Sequence, residues 1–273
     1  MITTEVDDAG FAALTAKIAR ERAFGCSSYK EKCLRRRIAV RMRARGVHSY
    51  FDYARVLDAD GTEYDRLIDA LTINVTKLFR NWETYSAVAE KVVPQLWSRG
   101  EPLSVWSAGC SSGEEPYSVA ALFHRHAEQA GSLSDLPSRV RVLGSDIDAR
   151  CLEAAGRGAF EEGDFADTPA ELRSRYFAEQ PPFTIVPEVK RLVRFEKRDL
   201  LASSSPTEQH HLIFCRNVLI YFDRETQERL FDRFHRALAP GGFLVLGKVE
   251  TLLGAARSRF AVVDPRERIY RVA

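Results

Sequence analysis

The spacing of hydrophobic residues changes near residue 100 of this 273-residue chain. Up to about residue 73, apolar side chains recur every three or four positions, as they do from Phe11 to Ile18, and no β-rich run interrupts them. This spacing is typical of amphipathic helices. We therefore expect residues 1–75 to form an all-helical N-terminal domain, followed by an interdomain linker helix over 76–99 and a second domain over 100–273.

From about residue 100, short β-rich runs alternate with helical segments. This alternation predicts an α/β domain with a mostly parallel sheet and helices on both of its faces. The predicted strands are Leu103–Gly109, Val140–Ile147, Leu192–Leu200, His211–Asn217 and Gly241–Glu250. The predicted helices are Glu115–Glu128, Ala149–Ala155, Ala170–Tyr176 and Arg224–Leu238.

Two segments depart from this alternation. The run FAVVDPRERIYRV at the end of the chain has two short β-rich parts around Asp264-Pro265, which predicts an antiparallel hairpin at the sheet edge. The run PFTIVPEV (Pro182–Val189) lies too close to the third predicted strand for an intervening helix. Residues from about 180 to 192 are therefore predicted to form a small inserted antiparallel β subdomain.

The composition narrows the class of protein. Hydrophobic residues make up 45% of the chain and charged residues 29%, which is ordinary for a globular protein with a real core. The net charge of +2 is too small to indicate by itself that the protein binds nucleic acid or a membrane surface. No apolar run approaches the ~20 residues that span a bilayer, and the N-terminus lacks signal-peptide features. We expect a cytoplasmic protein without membrane insertion.

The thiol and imidazole side chains predict no metal site. The five cysteines form no CxxC pair, and we interpret them as free thiols of a reducing compartment. His124 and His126 lie two positions apart, off one helix face, and His210 and His211 are adjacent. None of these spacings is typical of zinc ligands.

The glycine turn after the first predicted strand, SAGCSSGEEPYS (Ser107–Ser118), contains two carboxylates and no lysine. A phosphate-binding loop would end in Gly-Lys-Ser/Thr, because the lysine neutralises the phosphate. Here Glu114 and Glu115 follow the second glycine, and the GxGxxG motif is absent. The turn therefore favours a cationic or neutral ligand, which Gly109 and Gly113 allow to approach the backbone closely.

An acidic residue, Asp146, ends the second predicted strand. Ligands of open parallel sheets bind beyond the carboxyl ends of the strands, and an acid at this position commonly accepts hydrogen bonds from ribose hydroxyls. A ligand with a ribose and a positive charge but no phosphate is S-adenosylmethionine. Its sulfonium and ammonium groups suit Glu114, and its adenosine suits Asp146.

The fourth predicted strand ends in FCRNVLIYF, which places Arg216 and Asn217 just past the carboxyl edge, where a methyl group would be presented. Tyr221 and Phe222 follow on the same rim. A structural alternative is that these two aromatic residues only pack at the start of a helix, with Asp223 as its N-cap.

A basic run precedes all of these motifs. KEKCLRRRIAVRMRAR, residues 30–45, contains eight lysines and arginines against the single acid Glu31. Two interpretations remain open: a solvated helix face, or a docking face for an acidic partner.

Together these motifs resemble the CheR-type methyltransferases, which esterify glutamates of bacterial chemotaxis receptors. WSAGCSSGEEPYS, GSDID and FCRNVLIYFD resemble the motifs of that family in order and spacing, and NVTKLFR (Asn74–Arg80) resembles its interdomain segment. The resemblance covers nearly the whole chain. It implies a Rossmann-like class I S-adenosylmethionine methyltransferase domain with an N-terminal helical domain and a small β subdomain.

The resemblance also implies residue roles. Together with Gly109 of the glycine turn, the implied cofactor-binding residues are Asn74, Thr76, Arg80, Glu114, Asp146, Asp199, Leu200, Arg216 and Asn217. Tyr221 and Arg216 are the implied catalytic residues. Three segments depart from the family pattern: Leu78 stands where phenylalanine is usual, Asp199 stands where asparagine is usual, and Gly247-Lys248-Val249-Glu250 replaces Gly-His-Ser-Glu.

The implied function is methyl transfer from S-adenosylmethionine to receptor glutamates, with S-adenosylhomocysteine as product. The expected partners are the cytoplasmic helices of methyl-accepting chemotaxis receptors, at receptor arrays, and the protein is expected to be a monomer. Arg35, Arg36, Arg41 and Arg43 would attract those acidic helices. FTIVPEVKRLV lacks the glycine of a tethering loop, so no pentapeptide tether is expected. Two alternatives are a nucleic-acid methyltransferase and a cofactor-binding signalling module with little or no turnover.

Overall fold

The computed structural model describes residues 2–22, 24–72, 74–202 and 209–273, with side chains from residue 7 onward. These residues form two compact units. The helical unit contains the described residues up to Asn74 together with Tyr221–Thr226, and the α/β unit contains Val75–Ile220 and Gln227–Ala273. No described helix combines the length and hydropathy needed to cross a membrane.

The helical unit confirms the helical N-terminal prediction. Its helices are α1 (Ile2–Arg22), α2 (Glu31–Ala44), α3 (Tyr50–Ala59) and α4 (Gly61–Thr72). The apolar positions that recur at helical spacing are the buried ones, among them Leu14, Ile18, Leu34, Ile38 and Leu67. Ser49 starts α3 because its hydroxyl accepts the Asp52 N–H at 3.1 Å.

A buried ion pair joins α2 to α4 in this unit. Arg41 donates to both carboxylate oxygens of Glu63, at 3.0 and 2.7 Å, and the Tyr53 hydroxyl donates at 2.8 Å. Glu63 is fully buried. Burial acts to raise the pKa of Glu63, but the hydrogen bonds from Arg41 and Tyr53 hold it below its usual value. The Arg41 side chain is therefore part of the internal structure of the helical unit.

The α/β unit follows the predicted alternation. Its strands are β1 (Leu103–Ala108), β2 (Val140–Asp146), β3 (Ala159–Phe160), β4 (Phe183–Thr184), β5 (Val193–Lys197), β6 (His210–Cys215), β7 (Leu238–Leu246), β8 (Phe260–Asp264) and β9 (Ile269–Val272). Its helices are α5 (Trp82–Lys91), α6 (Val93–Trp97), α7 (Glu114–Gln129), α8 (Leu136–Arg139), α9 (Ala149–Arg157), α10 (Ala170–Tyr176), α11 (Pro187–Lys190), α12 (Arg224–Ala237), whose first turn belongs to the helical unit, and α13 (Ala256–Arg259).

Seven of the described strands form one sheet in the order β5-β2-β1-β6-β7-β9-β8. The five strands from β5 to β7 are parallel, whereas β9 is antiparallel to both β7 and β8. The predicted parallel sheet and its terminal hairpin are therefore confirmed. The strand order reverses at β1, which has β2 on one side and β6 on the other. In open α/β sheets this switch point is where ligands bind, so the carboxyl ends of β1 and β6 define the expected site.

The small antiparallel ladder is present, but it is not contained within the predicted range of 180–192. Phe183–Thr184 pairs with Ala159–Phe160, a segment that lies before α10. The residues that follow, Pro187–Lys190, are helical. Proline at the first helical position favours this helix, because its missing N–H and fixed φ suit the start of a helix.

The segment expected to be one linker helix, residues 76–99, is different in the structure. Residues 76–81 are irregular, and two helices follow, α5 and α6, both within the α/β unit. Pro94 lies in the first turn of α6. Proline cannot continue a helix from the preceding turn, which explains the break near Val92.

We predict that Arg41→Ala lowers the free energy of unfolding of the helical unit by about 2 kcal/mol, because it removes both guanidinium hydrogen bonds from the buried Glu63 carboxylate and leaves only Arg45, at 3.9 Å, as a nearby cation. Arg36→Ala, on the exposed side of the same helix, is expected to change it by less than about 0.5 kcal/mol. Urea unfolding of both variants measures the difference. Equal effects of the two substitutions would contradict the structural role of Arg41.

Candidate active site

The turn between β1 and α7 needs glycine at two positions for conformational and packing reasons. Gly109 and Gly113 have φ angles of +81° and +97°, in the left-handed region. A Cβ on Gly109 would lie 2.6 Å from Val218 Cγ2, and one on Gly113 would lie 2.9 Å from Ala155 Cβ. Both glycines thus allow the turn to pack against the rest of the α/β unit.

Asp146, at the end of β2, is hydrogen-bonded to this turn. Its Oδ2 accepts the Ser111 N–H at 2.8 Å, and its Oδ1 accepts the Asp148 N–H at 3.0 Å. Burial raises the pKa of Asp146, although these backbone N–H groups oppose the shift. The carboxylate therefore lies beside the turn, at the carboxyl end of its strand, as predicted.

Glu114, at the start of α7, is a buried carboxylate with only 3% of the residue exposed. It accepts hydrogen bonds from the Ser112 hydroxyl, at 2.9 Å, and from the Thr76 side chain. Burial raises the pKa of Glu114 to about 7, despite these hydrogen bonds. The structure thus brings together two predicted cofactor-binding residues, Thr76 and Glu114.

The negative charges of Glu114 and Asp146 are not balanced by a nearby cation in the part of the chain that the structure describes. Among the described side chains, no lysine or arginine forms an ion pair with Glu114 or Asp146. Buried charges in proteins are normally paired, and a desolvated carboxylate gains most from a cation that reaches it. The residues present therefore fit a positively charged, ribose-bearing ligand such as S-adenosylmethionine.

The second glutamate of the turn, Glu115, has a different environment. Its carboxylate accepts the Ser107 hydroxyl at 2.7 Å and lies 3.8 Å from the Arg216 guanidinium. Burial raises the pKa of Glu115 to about 7, and Arg216 opposes this shift. Glu115 thus has a cationic partner, whereas Glu114 has none among the residues that the structure describes.

Arg216, at the end of β6, is directed at protein groups of the same unit. It donates to the Arg80 carbonyl at 2.9 Å, to Asn81 Oδ1 at 3.2 Å and to the Tyr85 hydroxyl at 3.4 Å. Only 6% of the residue is exposed. These contacts hold the segment that contains Arg80, whose own guanidinium donates to the Val75 carbonyl at 3.0 Å. A direct role of Arg216 at the substrate stays a prediction.

Asn217 has a φ of +61°, a left-handed conformation that is uncommon for a residue with a side chain. Its N–H donates to Glu250 Oε2 at 3.0 Å. Glu250 was not among the predicted site residues. The available signal was an acid in the loop that follows the fifth strand, but a pattern of residue types does not reveal which backbone groups a carboxylate binds.

Asp199 and Leu200 form a short turn after β5. Asp199 Oδ1 accepts the Leu201 N–H at 2.8 Å, and the Leu200 carbonyl accepts from Arg233 at 2.7 Å. Aspartate serves this turn because the contact needs only an acceptor. Whether the pair also contacts adenine stays a prediction.

Lys248, which replaces the usual histidine of the family motif, is engaged in ion pairs. Its ammonium lies 3.2 Å from Glu83 and 3.6 Å from Glu267. Val249, the next residue, is 75% exposed. The replacement therefore ties the loop after β7 to two acids of the α/β unit.

Two predicted site residues, Asn74 and Tyr221, belong to the helical unit. The Tyr221 carbonyl accepts the Lys30 N–H at 2.8 Å, and the Arg37 guanidinium lies over the Tyr221 ring at 4.4 Å. Phe222 packs edge-on against Tyr29, with ring centroids 4.9 Å apart. These contacts favour the packing interpretation for both aromatic rings and leave the catalytic role of Tyr221 untested.

The four predicted docking arginines divide into two pairs. Arg35 forms ion pairs with Asp7, Asp8 and Glu31, and Arg41 is bound to Glu63. The side chains of Arg36 and Arg43 are exposed and form no ion pair or hydrogen bond with any described residue. Only the second pair is free to bind a partner.

The cysteines and the possible metal-ligating side chains were the other candidates for chemistry. All five cysteines are free thiols in the structure. Among the described residues, no group of three or more histidine, cysteine, aspartate or glutamate side chains could hold a metal ion.

We predict that ligand binding at Glu114 depends on pH. Because the pKa of Glu114 is about 7 in the free protein, the carboxyl becomes protonated as the pH falls through 7 and loses its attraction for a cation. The affinity for S-adenosylmethionine, measured by isothermal titration calorimetry, should therefore fall from pH 8 to pH 6.

The same measurement should show at least about tenfold weaker binding for Glu114→Gln, which corresponds to 1.4 kcal/mol. Glu153→Gln, an exposed glutamate on α9, serves as the charge-matched control.

The same shift makes a prediction for the stability of the ligand-free protein. A carboxyl whose folded-state pKa is raised stabilises the fold below its unfolded pKa, and this contribution is lost as the pH rises through 7. Glu114→Gln should therefore raise the stability at pH 8, by up to about 3 kcal/mol, and by much less at pH 5. Thermal unfolding at both pH values measures this, and a destabilised variant at pH 8 would contradict it.

Comparison with known proteins supplies the family. The chain matches the CheR methyltransferase, SAM binding domain over residues 74–269 and the CheR methyltransferase, all-alpha domain over residues 9–72. Among solved structures, an S-adenosylmethionine dependent methyltransferase from Mesorhizobium loti is 20% identical over 58% of this chain and 54% of that chain. Its TM-score of 0.29 is too low to bear on the site.

Curated relatives extend the match along the chain. A chemotaxis protein methyltransferase of Klebsiella aerogenes is 34% identical over 92% of this chain and 86% of its own length. An uncharacterised 104.1 kDa protein of Rhodobacter capsulatus is 36% identical over 89% of this chain, which spans only 25% of that protein. S-adenosylmethionine is the cofactor of the matched domain. The chain therefore belongs to the CheR methyltransferase family, whose helical and S-adenosylmethionine-binding domains it contains in that order.

Proposed function

We propose that the protein transfers methyl groups from S-adenosylmethionine to glutamate side chains of chemotaxis receptors, without a pentapeptide tether. It would act in the cytoplasm, at receptor arrays. Family membership and the chemotaxis methyltransferase relatives support methyl transfer in chemotaxis. The receptor as substrate is supported by one observation on the helical unit, a basic helix face whose charges are not used internally.

This basic face consists of Lys32, Arg36, Val40 and Arg43 on α2. Their spacing of four, four and three residues places them on one side of the helix. All four are exposed, and the three charged side chains form no ion pair with any described residue. A surface of this kind suits a helix that bears paired glutamates, with Val40 available for an apolar contact.

The proposed chemistry needs no general base. A free glutamate has a pKa of about 4.3 and is already the ionised nucleophile at pH 7. The cofactor supplies the methyl group: the carboxylate oxygen forms the new O–C bond, and the electrons of the broken S–C bond return to sulfur. The protein binds the cofactor through Glu114, Thr76 and Asp146, and it orients the reactants and excludes water. Alignment alone can contribute roughly 7–11 kcal/mol to such a reaction.

We predict that Arg36→Glu combined with Arg43→Glu raises the KM for receptor at least about tenfold and leaves cofactor affinity unchanged. The reason is that charge reversal repels an acidic helix, and the effect should shrink as salt screens exposed charges. Radiolabelled methyl transfer at several salt concentrations measures KM, and calorimetry measures the affinity for S-adenosylhomocysteine.

The matched control is Arg66→Glu combined with Arg141→Glu, which changes the net charge equally at two exposed arginines elsewhere in the chain. If both double variants raise KM alike, the effect comes from net charge, and the docking role of the basic face is excluded. If cofactor affinity falls together with receptor binding, the reversal has disturbed folding instead.

The identity of the product tests the function itself. Incubation of the protein with labelled S-adenosylmethionine and receptor should produce alkali-labile label on protein, the signature of a methyl ester. Stable label on RNA from a parallel incubation would identify a nucleic-acid methyltransferase. Tight cofactor binding without label on either acceptor would identify a signalling module that lacks turnover.

Tyr221 is proposed, by resemblance, to position the acceptor carboxylate through its hydroxyl. Tyr221→Phe should then lower kcat at least about tenfold, the size of one lost charge-assisted hydrogen bond, while cofactor affinity stays the same. The ring and its contact with Arg37 remain in this variant. Full turnover of Tyr221→Phe would restrict Tyr221 to packing.

A further inference from the structure

Glu250 lies in the loop after β7, Gly247–Glu250, with its carboxylate turned into the α/β unit and only 5% of the residue exposed. Its Oε2 accepts the Gly247 N–H at 2.7 Å and the Asn217 N–H at 3.0 Å. The first donor follows β7 and the second follows β6, and these strands are parallel neighbours. One carboxylate oxygen therefore ties together the carboxyl ends of two strands, at the edge where open parallel sheets bind ligands.

The backbone around this oxygen is closely fitted to it. A Cβ on Gly247 would lie 2.7 Å from Glu250 Oε2 and 2.9 Å from the Asn217 nitrogen. Backbone N–H groups from two separate segments thus converge on this one carboxylate oxygen. Burial raises the pKa of Glu250, although the N–H groups of Gly247, Asn217 and Leu219 favour its ionised form.

The left-handed conformation of Asn217 needs such support. A residue with a side chain held in this region costs on the order of 1–3 kcal/mol, so it persists only where surrounding contacts impose it. Arg216, immediately before, is fixed by Arg80, Asn81 and Glu115. The backbone N–H of Asn217 itself has one partner among the described residues, the Glu250 carboxylate.

We infer that Glu250 is a positioning residue for the cofactor: it holds Asn217 in the conformation in which the asparagine side chain contacts the ligand. The inference rests on the proposed cofactor-binding role of Asn217. Glu250 itself does not touch the ligand in this account and acts through its neighbour. Its effect on binding must therefore disappear when the Asn217 side chain is absent.

A double-mutant cycle on S-adenosylhomocysteine affinity tests this dependence. Asn217→Ala and Glu250→Ala are each expected to weaken binding at least about fivefold, and the double variant should bind within about twofold of Asn217→Ala alone, because both substitutions remove one interaction. Losses that multiply in the double variant would overturn the inference. Isothermal titration calorimetry supplies the four affinities, and thermal unfolding confirms that each variant is folded.

Two further variants separate positioning from general structural damage. Glu250→Gln retains an oxygen that accepts the same N–H groups, so it should bind clearly more tightly than Glu250→Ala. Glu267→Ala is the matched control, because Glu267 is equally buried, accepts the Thr84 hydroxyl at 2.7 Å and lies 3.6 Å from Lys248 of the same loop. It should change the affinity less than about twofold. A loss equal to that of Glu250→Ala would assign the effect to the loop as a whole and overturn the inference.

The result for Glu250 can be distinguished from the result for the proposed receptor substrate. If the unmodified protein binds S-adenosylhomocysteine but labels no receptor, the proposed substrate is wrong while the cycle still decides the role of Glu250. If Glu250→Ala does not fold, the cycle is repeated with Glu250→Asp, whose shorter side chain withdraws the accepting oxygen from the Gly247 and Asn217 N–H groups, and the same non-additivity is required. Additive losses there would exclude Glu250 as a positioning residue.

Discussion

The proposed cofactor site depends on one constraint, a buried carboxylate that has no cationic partner among the described residues. Glu114 lies at the start of α7, almost fully removed from water, and its pKa is raised to about 7 by that burial. The surrounding hydroxyl groups of Ser112 and Thr76 do not neutralise its charge. The buried negative charge destabilises the ligand-free protein, and a positively charged ligand reduces this cost. Positive charge is also the property that distinguishes a sulfonium cofactor from a nucleoside phosphate.

The paired glutamates of the turn illustrate how adjacent residues acquire different tasks. Glu114 is the proposed ligand contact, whereas Glu115 is paired with Arg216, whose other hydrogen bonds hold the segment that contains Arg80. The buried pair thus connects the first and fourth predicted strands to the segment that precedes α5. The desolvation cost of a buried ion pair offsets much of its attraction, so the main contribution of the Glu115–Arg216 pair is to fix geometry at the edge of the sheet.

Much of the fold was predictable because the hydrophobic period changes so clearly along the chain. The alternation after residue 100 identified the parallel strands, and Asp264-Pro265 marked the terminal hairpin. The partner of β4 was not predicted, because Ala159–Phe160 is only two residues long and lies far from it in sequence. Pro94 divides the expected linker helix for a local reason, which a periodicity argument over a longer window does not resolve.

The site was predictable to the extent that chemistry follows residue type. Two acids and no lysine in the glycine turn pointed to Glu114, and an acid at the end of the second strand pointed to Asp146. Both lie at the carboxyl edge of the sheet, Glu114 after β1 and Asp146 at the end of the adjacent strand β2. The tasks of arginines were not predictable in this way. Arg35, Arg36, Arg41 and Arg43 look alike in sequence, but only Arg35 and Arg41 have acidic partners among the described residues, and most of these partners come from α1 and α4. Glu250 was missed because its partners are backbone N–H groups, which every residue except proline carries.

The proposed attraction between Glu114 and a cationic cofactor is tested most directly by the pKa of the Glu114 side chain, followed through its 13C carboxyl resonance with and without S-adenosylmethionine. Glu114→Gln identifies the resonance by its disappearance. We expect a midpoint of about 7 in the free protein and a midpoint more than about one unit lower when the cofactor is bound, because a nearby cation favours the ionised form. A midpoint near that of a free glutamate, or one that the cofactor leaves unmoved, would contradict the proposed attraction.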